Sequence, residues 1–141
     1  MYLIFGGAYQ GKREFARQRF GLAEEDFWYC GPDAKGGAGE FDSRGDVDAG
    51  RPDLTKRAIC GLEYFALDCV RSGAEAADWL RAHRQALEGK IVICTDLSQG
   101  VVPVEAELRA WREMCGRMMI YLAAEAEEVY RIFCGIPQKL K

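Results

Sequence analysis

The sequence predicts an α/β fold, a three-layer sandwich in which a mostly parallel sheet carries helices on both faces. Three observations lead there. Ile91-Val92-Ile93-Cys94 is a continuous apolar run without polar alternation, the pattern of a strand covered on both faces. Tyr2-Leu3-Ile4-Phe5 is a second such run, stopped by Gly6-Gly7 and followed at once by helical spacing. Along the chain the order is strand, helix, strand, loop, helices, strand, helix, strand, which suits a parallel sheet with covering helices.

Each element has a local reason. After the first strand, Phe15, Ala16 and Phe20 recur at helical spacing from Lys12 onward, and Gly21 is a natural stop just past the last turn. Phe27-Trp28-Tyr29-Cys30 is aromatic enough for a second strand and ends at Gly31-Pro32. Residues 31–53 hold six of the sixteen glycines and five aspartates with little that could form a core, so a long loop is expected, either a solvated connector or a lid over a substrate. From Leu54 to Val70 the set Leu54, Ala58, Ile59, Leu62, Phe65, Ala66, Cys69 and Val70 keeps the step of an amphipathic helix. A second helix is expected over Ala74–Leu87. After the strand at Ile91–Cys94 and the turn Val101-Val102-Pro103, Leu108, Trp111, Met114, Cys115, Met118, Leu122 and Ala126 mark a long helix. Val129 to Cys134 reads as the final strand, ended by Gly135 and Pro137.

The composition bounds the function. With 141 residues, 49% of them apolar and 29% charged, the chain suits one domain over 1–141 whose core needs no disulfide staples. Its six cysteines contain no C-x-x-C pair and read as reduced thiols, several of them buried. No run of eighteen apolar residues occurs, and the first charges follow the initial apolar run rather than precede it, so a cytoplasmic protein without a membrane span is expected. A net charge of −3 argues against a dedicated nucleic-acid binder, which needs a dense basic surface.

In parallel sheets ligands collect beyond the carboxyl ends of the strands, which directs attention to the residues just after Phe5, Cys30, Cys94 and Cys134. After the first lies Gly6-Gly7-Ala8-Tyr9-Gln10-Gly11-Lys12-Arg13, which matches the phosphate-binding pattern G-x-x-x-x-G-K-[ST] at all but its last position. Its setting between a strand and a helix matters as much as its letters. There, successive backbone N–H groups and a helix N-terminus can cradle a phosphate chain while Lys12 reaches the outer phosphates. Arg13 stands where a hydroxyl would ligate Mg²⁺, and a guanidinium cannot do so. Either other groups and water hold the metal, or Arg13 neutralises phosphate charge, or the site binds an anion without metal-dependent turnover. The structural alternative is a plain glycine turn before an ordinary helix. After the Ile91–Cys94 strand comes Thr95-Asp96, whose carboxylate is read either as one that holds Mg²⁺ or orients a nucleophile or as a turn cap.

Asp96-Leu97-Ser98-Gln99-Gly100-Val101-Val102-Pro103, then Trp111-Arg112, Gly116-Arg117 and the closing Cys134-Gly135-Ile136-Pro137-Gln138-Lys139-Leu140-Lys141, resemble the adenosylcobinamide kinase/adenosylcobinamide-phosphate guanylyltransferase family of cobalamin biosynthesis, and the N-terminal Gly-Gly-Ala-x-x-Gly-Lys agrees. Residues 1–20 and 90–141 follow that layout. The resemblance implies a P-loop, RecA-like nucleotide-binding fold, often homotrimeric, with GTP or ATP as cosubstrate and the corrinoid adenosylcobinamide as acceptor. By position it makes Gly6 to Arg13 the nucleotide-binding loop, Lys12 and Asp96 the catalytic residues, and Asp96 the metal-holding substitute for the family's usual glutamate.

The departures fall on the chemistry. The family's guanylylated histidine follows the second strand, whereas residues 31–60 here contain no histidine. The sole histidine, His83, lies in a predicted helix between Arg81 and Arg84 and reads as solvent-facing. Without a histidine in that segment a phosphoramidate intermediate cannot form by the family's usual route, and the expected activity is phosphorylation of adenosylcobinamide. The alternative is a non-catalytic nucleotide- or corrinoid-binding relative with a regulatory or assembly role. The middle of the chain is shorter than in typical members, and Asp42, Asp46, Asp48, Arg44 and Arg51 could stand in for its substrate-handling groups. Met114, Met118 and Met119 read as core or subunit packing, Trp111 as an interface anchor, and Lys139 and Lys141 as solvated tail charges.

Overall fold

The computed structural model of the chain describes residues 1–31, 51–98 and 100–141. The apolar run at the start forms β1 (Tyr2–Gly6), and the helical spacing after the glycine turn forms α1 (Lys12–Phe20), closed by Gly21 in the left-handed conformation. Then follow β2 (Phe27–Tyr29), β3 (Ala58–Cys60), α2 (Leu62–Ser72), α3 (Ala76–Ala82), β4 (Ile91–Thr95), α4 (Ala106–Glu125), β5 (Glu128–Phe133) and β6 (Ile136–Lys139). Among the described residues the strands make one sheet in the order β2-β3-β4-β1-β5-β6. All neighbours are parallel except the β5–β6 hairpin.

Because side chains alternate across a strand, each strand feeds two cores. Leu3, Ile59, Val92, Cys94 and Val129 face α2, α3 and α4, meeting Leu62, Phe65, Leu80, Met118 and Leu122. Ile4, Ala58, Cys60, Ile91, Ile93 and Ile132 face the other way, toward Ala16 of α1 together with Leu22 and Phe27. The three-layer α/β arrangement with helices on both faces is therefore as expected.

Three local expectations are corrected. The stretch expected as one helix over Leu54–Val70 contains β3 and only then α2. Ala58, Ile59 and Leu62 mimic a helical period, yet Ala58–Cys60 is too short to show alternation and is recruited by parallel pairing with β2 and β4. Gly61 divides the two elements: its φ is +79°, and a Cβ there would lie 2.5 Å from the Cys30 carbonyl oxygen. The helix expected over Ala74–Leu87 is α3 followed by a short 3₁₀ turn at Arg84–Leu87. Finally, β5 is not the last strand: the chain turns at Cys134 and Gly135 into β6, where Pro137, lacking an N–H, is tolerated because the strand is at the sheet edge.

Trp111, Lys139 and Lys141, expected at an interface or in solvent, are used inside the chain, and the methionines take the core role, one of their two expected readings. Trp111 packs on Tyr64 with ring centroids 5.8 Å apart, and its indole N–H donates to the Glu63 carbonyl, docking α4 on the start of α2. Met114 and Met118 are buried in the core. Lys139 pairs with Glu128 at 2.5 Å, and the Lys141 ammonium donates to the carbonyls of Ala123 and Ala124, near the C-terminal end of α4. Trp111→Phe keeps an aromatic ring but removes the donor and the five-membered ring, and is expected to cost at least about 1 kcal/mol in urea unfolding without a change of m value.

Candidate nucleotide site

The glycine loop lies where the fold places ligands, at the carboxyl end of β1, between β1 and the N-terminus of α1. Gly6 ends the strand with φ +155°, Tyr9 takes a left-handed φ of 57°, and Gly11, at φ 87°, caps the helix without a side-chain hydrogen bond. α1 therefore opens with main-chain N–H groups rather than a capping side chain at its first turn, the geometry that attracts anions.

Lys12 is the first helical residue and is 9% exposed. Its ammonium folds back over the loop, donating to the Gly6 carbonyl at 3.1 Å and the Gly7 carbonyl at 2.6 Å. Burial pushes its pKa below the ordinary lysine value, and the Glu63 carboxylate opposes that shift. The Gly6 carbonyl also accepts the main-chain N–H of Asp96 at 2.9 Å. One carbonyl oxygen thus brings Lys12 and Asp96, 84 positions apart by number, to the same end of the sheet. The Asp96 Oδ1 accepts from the Ser98 N–H at 2.9 Å and from the Ser98 hydroxyl at 2.5 Å, so the carboxylate caps its own turn while standing beside the loop. Arg13 is exposed on the first turn of α1, with its guanidinium 5.6 Å from the Tyr29 ring centroid.

The sequence reasoning missed Glu63. Only 6% exposed, it lies in the first turn of α2, and its Oε2 accepts the Thr95 N–H at the end of β4 at 3.1 Å. Its main-chain carbonyl receives both the Trp111 indole and, at 3.8 Å, the Cys115 thiol. Reading Leu54–Val70 as one helix hid it, because a glutamate inside an amphipathic helix looks like a surface residue. The strand-Gly61-helix junction was the signal, since it sets Glu63 three residues past the carboxyl end of β3.

Other expected groups lie elsewhere. His83 is at the C-terminal end of α3, toward the amino edge of the sheet, stacked on Trp79 at 4.0 Å with Nδ1 2.8 Å from the Trp79 carbonyl oxygen. A cleft of about 420 Å³ at that edge is lined by Met1, Arg84, Leu87 and Glu127, and is remote in the fold from the glycine loop. Asp42, Arg44, Asp46 and Asp48 lie outside the described residues, whereas Arg51 is described and exposed. Among the described residues no three His, Cys, Asp or Glu side chains gather to hold a metal ion, and no helix is long and apolar enough to cross a membrane. The cysteines are free thiols; burial pushes Cys30, Cys60 and Cys115 up to about 12, which makes them poor nucleophiles.

A mostly parallel sheet, a glycine turn after its first strand and helices on both faces define an α/β fold of the phosphate-loop class. Within that class the chain belongs to the cobinamide kinase / cobinamide phosphate guanyltransferase family, whose profile matches residues 63–140, more than half of the sequence. The match begins at Glu63, so it covers Asp96 and the closing hairpin, and the glycine loop precedes it. No curated protein matches the chain. The family's activities belong to cobalamin biosynthesis, with nucleoside triphosphate and cobinamide as substrates.

Proposed function

We propose that the protein is a single-domain adenosylcobinamide kinase, moving the terminal phosphoryl group of GTP or ATP to the corrinoid's hydroxyl. The observation that carries this reading is the buried Lys12 ammonium held over the Gly6 and Gly7 carbonyls at the N-terminus of α1, with Asp96 bonded to the same strand end. In the proposed site the main-chain N–H groups of Gly6 to Arg13 wrap the phosphates and Lys12 moves from the loop carbonyls to the outer phosphate oxygens, neutralising the charge that spreads there during transfer. Arg13 adds a second cation in place of the customary hydroxyl. Mg²⁺ suits the oxygen donors present: Asp96 would hold it with water and the phosphates, in the manner of a cation bound through one or two carboxylates. When bound, the ion supplies charge neutralisation of the transferring phosphoryl group. Guanylyl transfer through histidine is not part of the proposal, because the one histidine is His83, toward the amino edge of the sheet.

A homotrimer and a cytoplasmic location belong to the same proposal through the family likeness. Arg13 in the hydroxyl position favours one rival, a relative that binds nucleotide without turnover. Titration with GTP and ATP, with and without Mg²⁺, should raise the melting temperature by several degrees at ligand near 100 Kd, a stabilisation of about 2.7 kcal/mol. Labelled phosphate should then appear on cobinamide. Tight binding without labelled corrinoid would leave the rival in place of the kinase, and absence of any thermal shift would remove both.

A further inference from the structure

The loop Gly6–Arg13 is secured at its inner end by the Lys12 bonds to the Gly6 and Gly7 carbonyls. Its outer half carries Tyr9, fully exposed and at a positive φ of 57°, a conformation that a tyrosine adopts only when its surroundings impose it. What holds that half is the turn between β5 and β6. The Gln10 side-chain Oε1 accepts the Cys134 N–H at 2.5 Å, and the Gln10 main-chain carbonyl accepts the Gly135 N–H at 3.1 Å. Cys134 and Gly135 both have positive φ, 49° and 77°, as a two-residue hairpin turn requires. The contact continues at Gly11, where a Cβ would meet the Gly135 Cα at 3.6 Å.

We propose that Gln10 is a positioning residue that locks the outer half of the loop to the Cys134–Gly135 turn, and that this turn forms one wall of the nucleotide site. The inference rests on the reading of Gly6–Arg13 as that site. Two adjacent N–H groups of the hairpin are matched by two oxygens of one residue, one on its side chain and one on its main chain. Gln10 therefore ties loop and hairpin together across 124 sequence positions. Loop residues that must present their N–H groups to a phosphate chain are preorganised by this tie before ligand arrives.

Cys134 supplies the readout, because it is exposed while the other five cysteines are buried. Iodoacetamide labelling of the intact protein therefore follows one thiol. Nucleoside triphosphate should slow the labelling in the wild type. Gln10→Met, of similar length but without the acceptor, and Gln10→Ala should label several-fold faster without nucleotide and bind triphosphate roughly 10-fold more weakly, the effect of one good hydrogen bond lost. Gln10→Glu retains an acceptor oxygen, and its nucleotide-free labelling should return to the wild-type rate, a rescue that general loosening of the fold would not produce. Melting of each variant without ligand confirms that the protein is folded. Wild-type affinity in Gln10→Met, or nucleotide that binds and leaves Cys134 labelling unchanged, overturns the tether alone. A wild-type protein that binds no triphosphate overturns the site reading and the tether together.

Discussion

Gly6→Ala is expected to destabilise the protein by about 3 kcal/mol or more, lowering the melting temperature by roughly 10 °C. The added Cβ would stand 2.3 Å from the Ile132 carbonyl oxygen of the neighbouring strand β5, and 3.2 Å from the Ile132 carbonyl carbon. Both atoms belong to the sheet backbone, so no rotamer change can relieve the overlap. Ile132 is itself 1% exposed, in the core beside Ile4 and Ile93. Relief therefore requires β1 and β5 to part at the end where the loop begins, which would also shift the Gly6 carbonyl that holds both Lys12 and Asp96. Calorimetry measures the first effect and triphosphate titration the second. A Gly6→Ala variant with the wild-type melting temperature would mean that the strand end is far softer than its packing indicates.

Lys12→Met should abolish measurable corrinoid phosphorylation, with a loss of roughly 10²–10³ in rate and about 100-fold in triphosphate affinity. The substitution retains most of the buried stem while removing the charge, and the Gly6 carbonyl keeps its bond from the Asp96 N–H. Stability should change little, since an ammonium taken out of water is costly to bury even when it is hydrogen-bonded. The pH dependence separates charge from packing. Because burial lowers the Lys12 pKa below its ordinary 10.5, the unfolded chain binds more protons than the folded one between the two values. Stability attributable to Lys12 therefore rises as pH climbs through that window, while triphosphate binding weakens as the ammonium is lost. Lys12→Met should show neither trend. Matching pH profiles for wild type and variant would contradict the assignment of the charge to this residue.

The glycine loop was readable from local letters because its two ends are set locally: a strand stop, Gly6 and Gly11 where positive φ is needed, and a lysine at the first helical position. The β-branched run at Ile91 was equally plain, since burial on both faces leaves no polar position to confuse the pattern. β3 was not readable. Three residues cannot display a period, and Ala58–Cys60 becomes a strand only because β2 and β4 flank it with unsatisfied backbone groups. β6 was obscured for a related reason, since Gly135 and Pro137 ordinarily terminate strands and are acceptable here through a hairpin turn and an edge position.

By itself the sequence determined the α/β class, the place of the glycine loop within it and the absence of a histidine where the family's guanylyl route needs one. Those are properties of short windows and of composition. Only the tertiary structure decided that Glu63 is buried at the end of β4, that Trp111 serves the chain's own packing, and that Gln10 grips a hairpin 124 positions away. Such pairings join segments far apart in the chain. Their energies depend on distances and desolvation that arise only once the sheet has assembled.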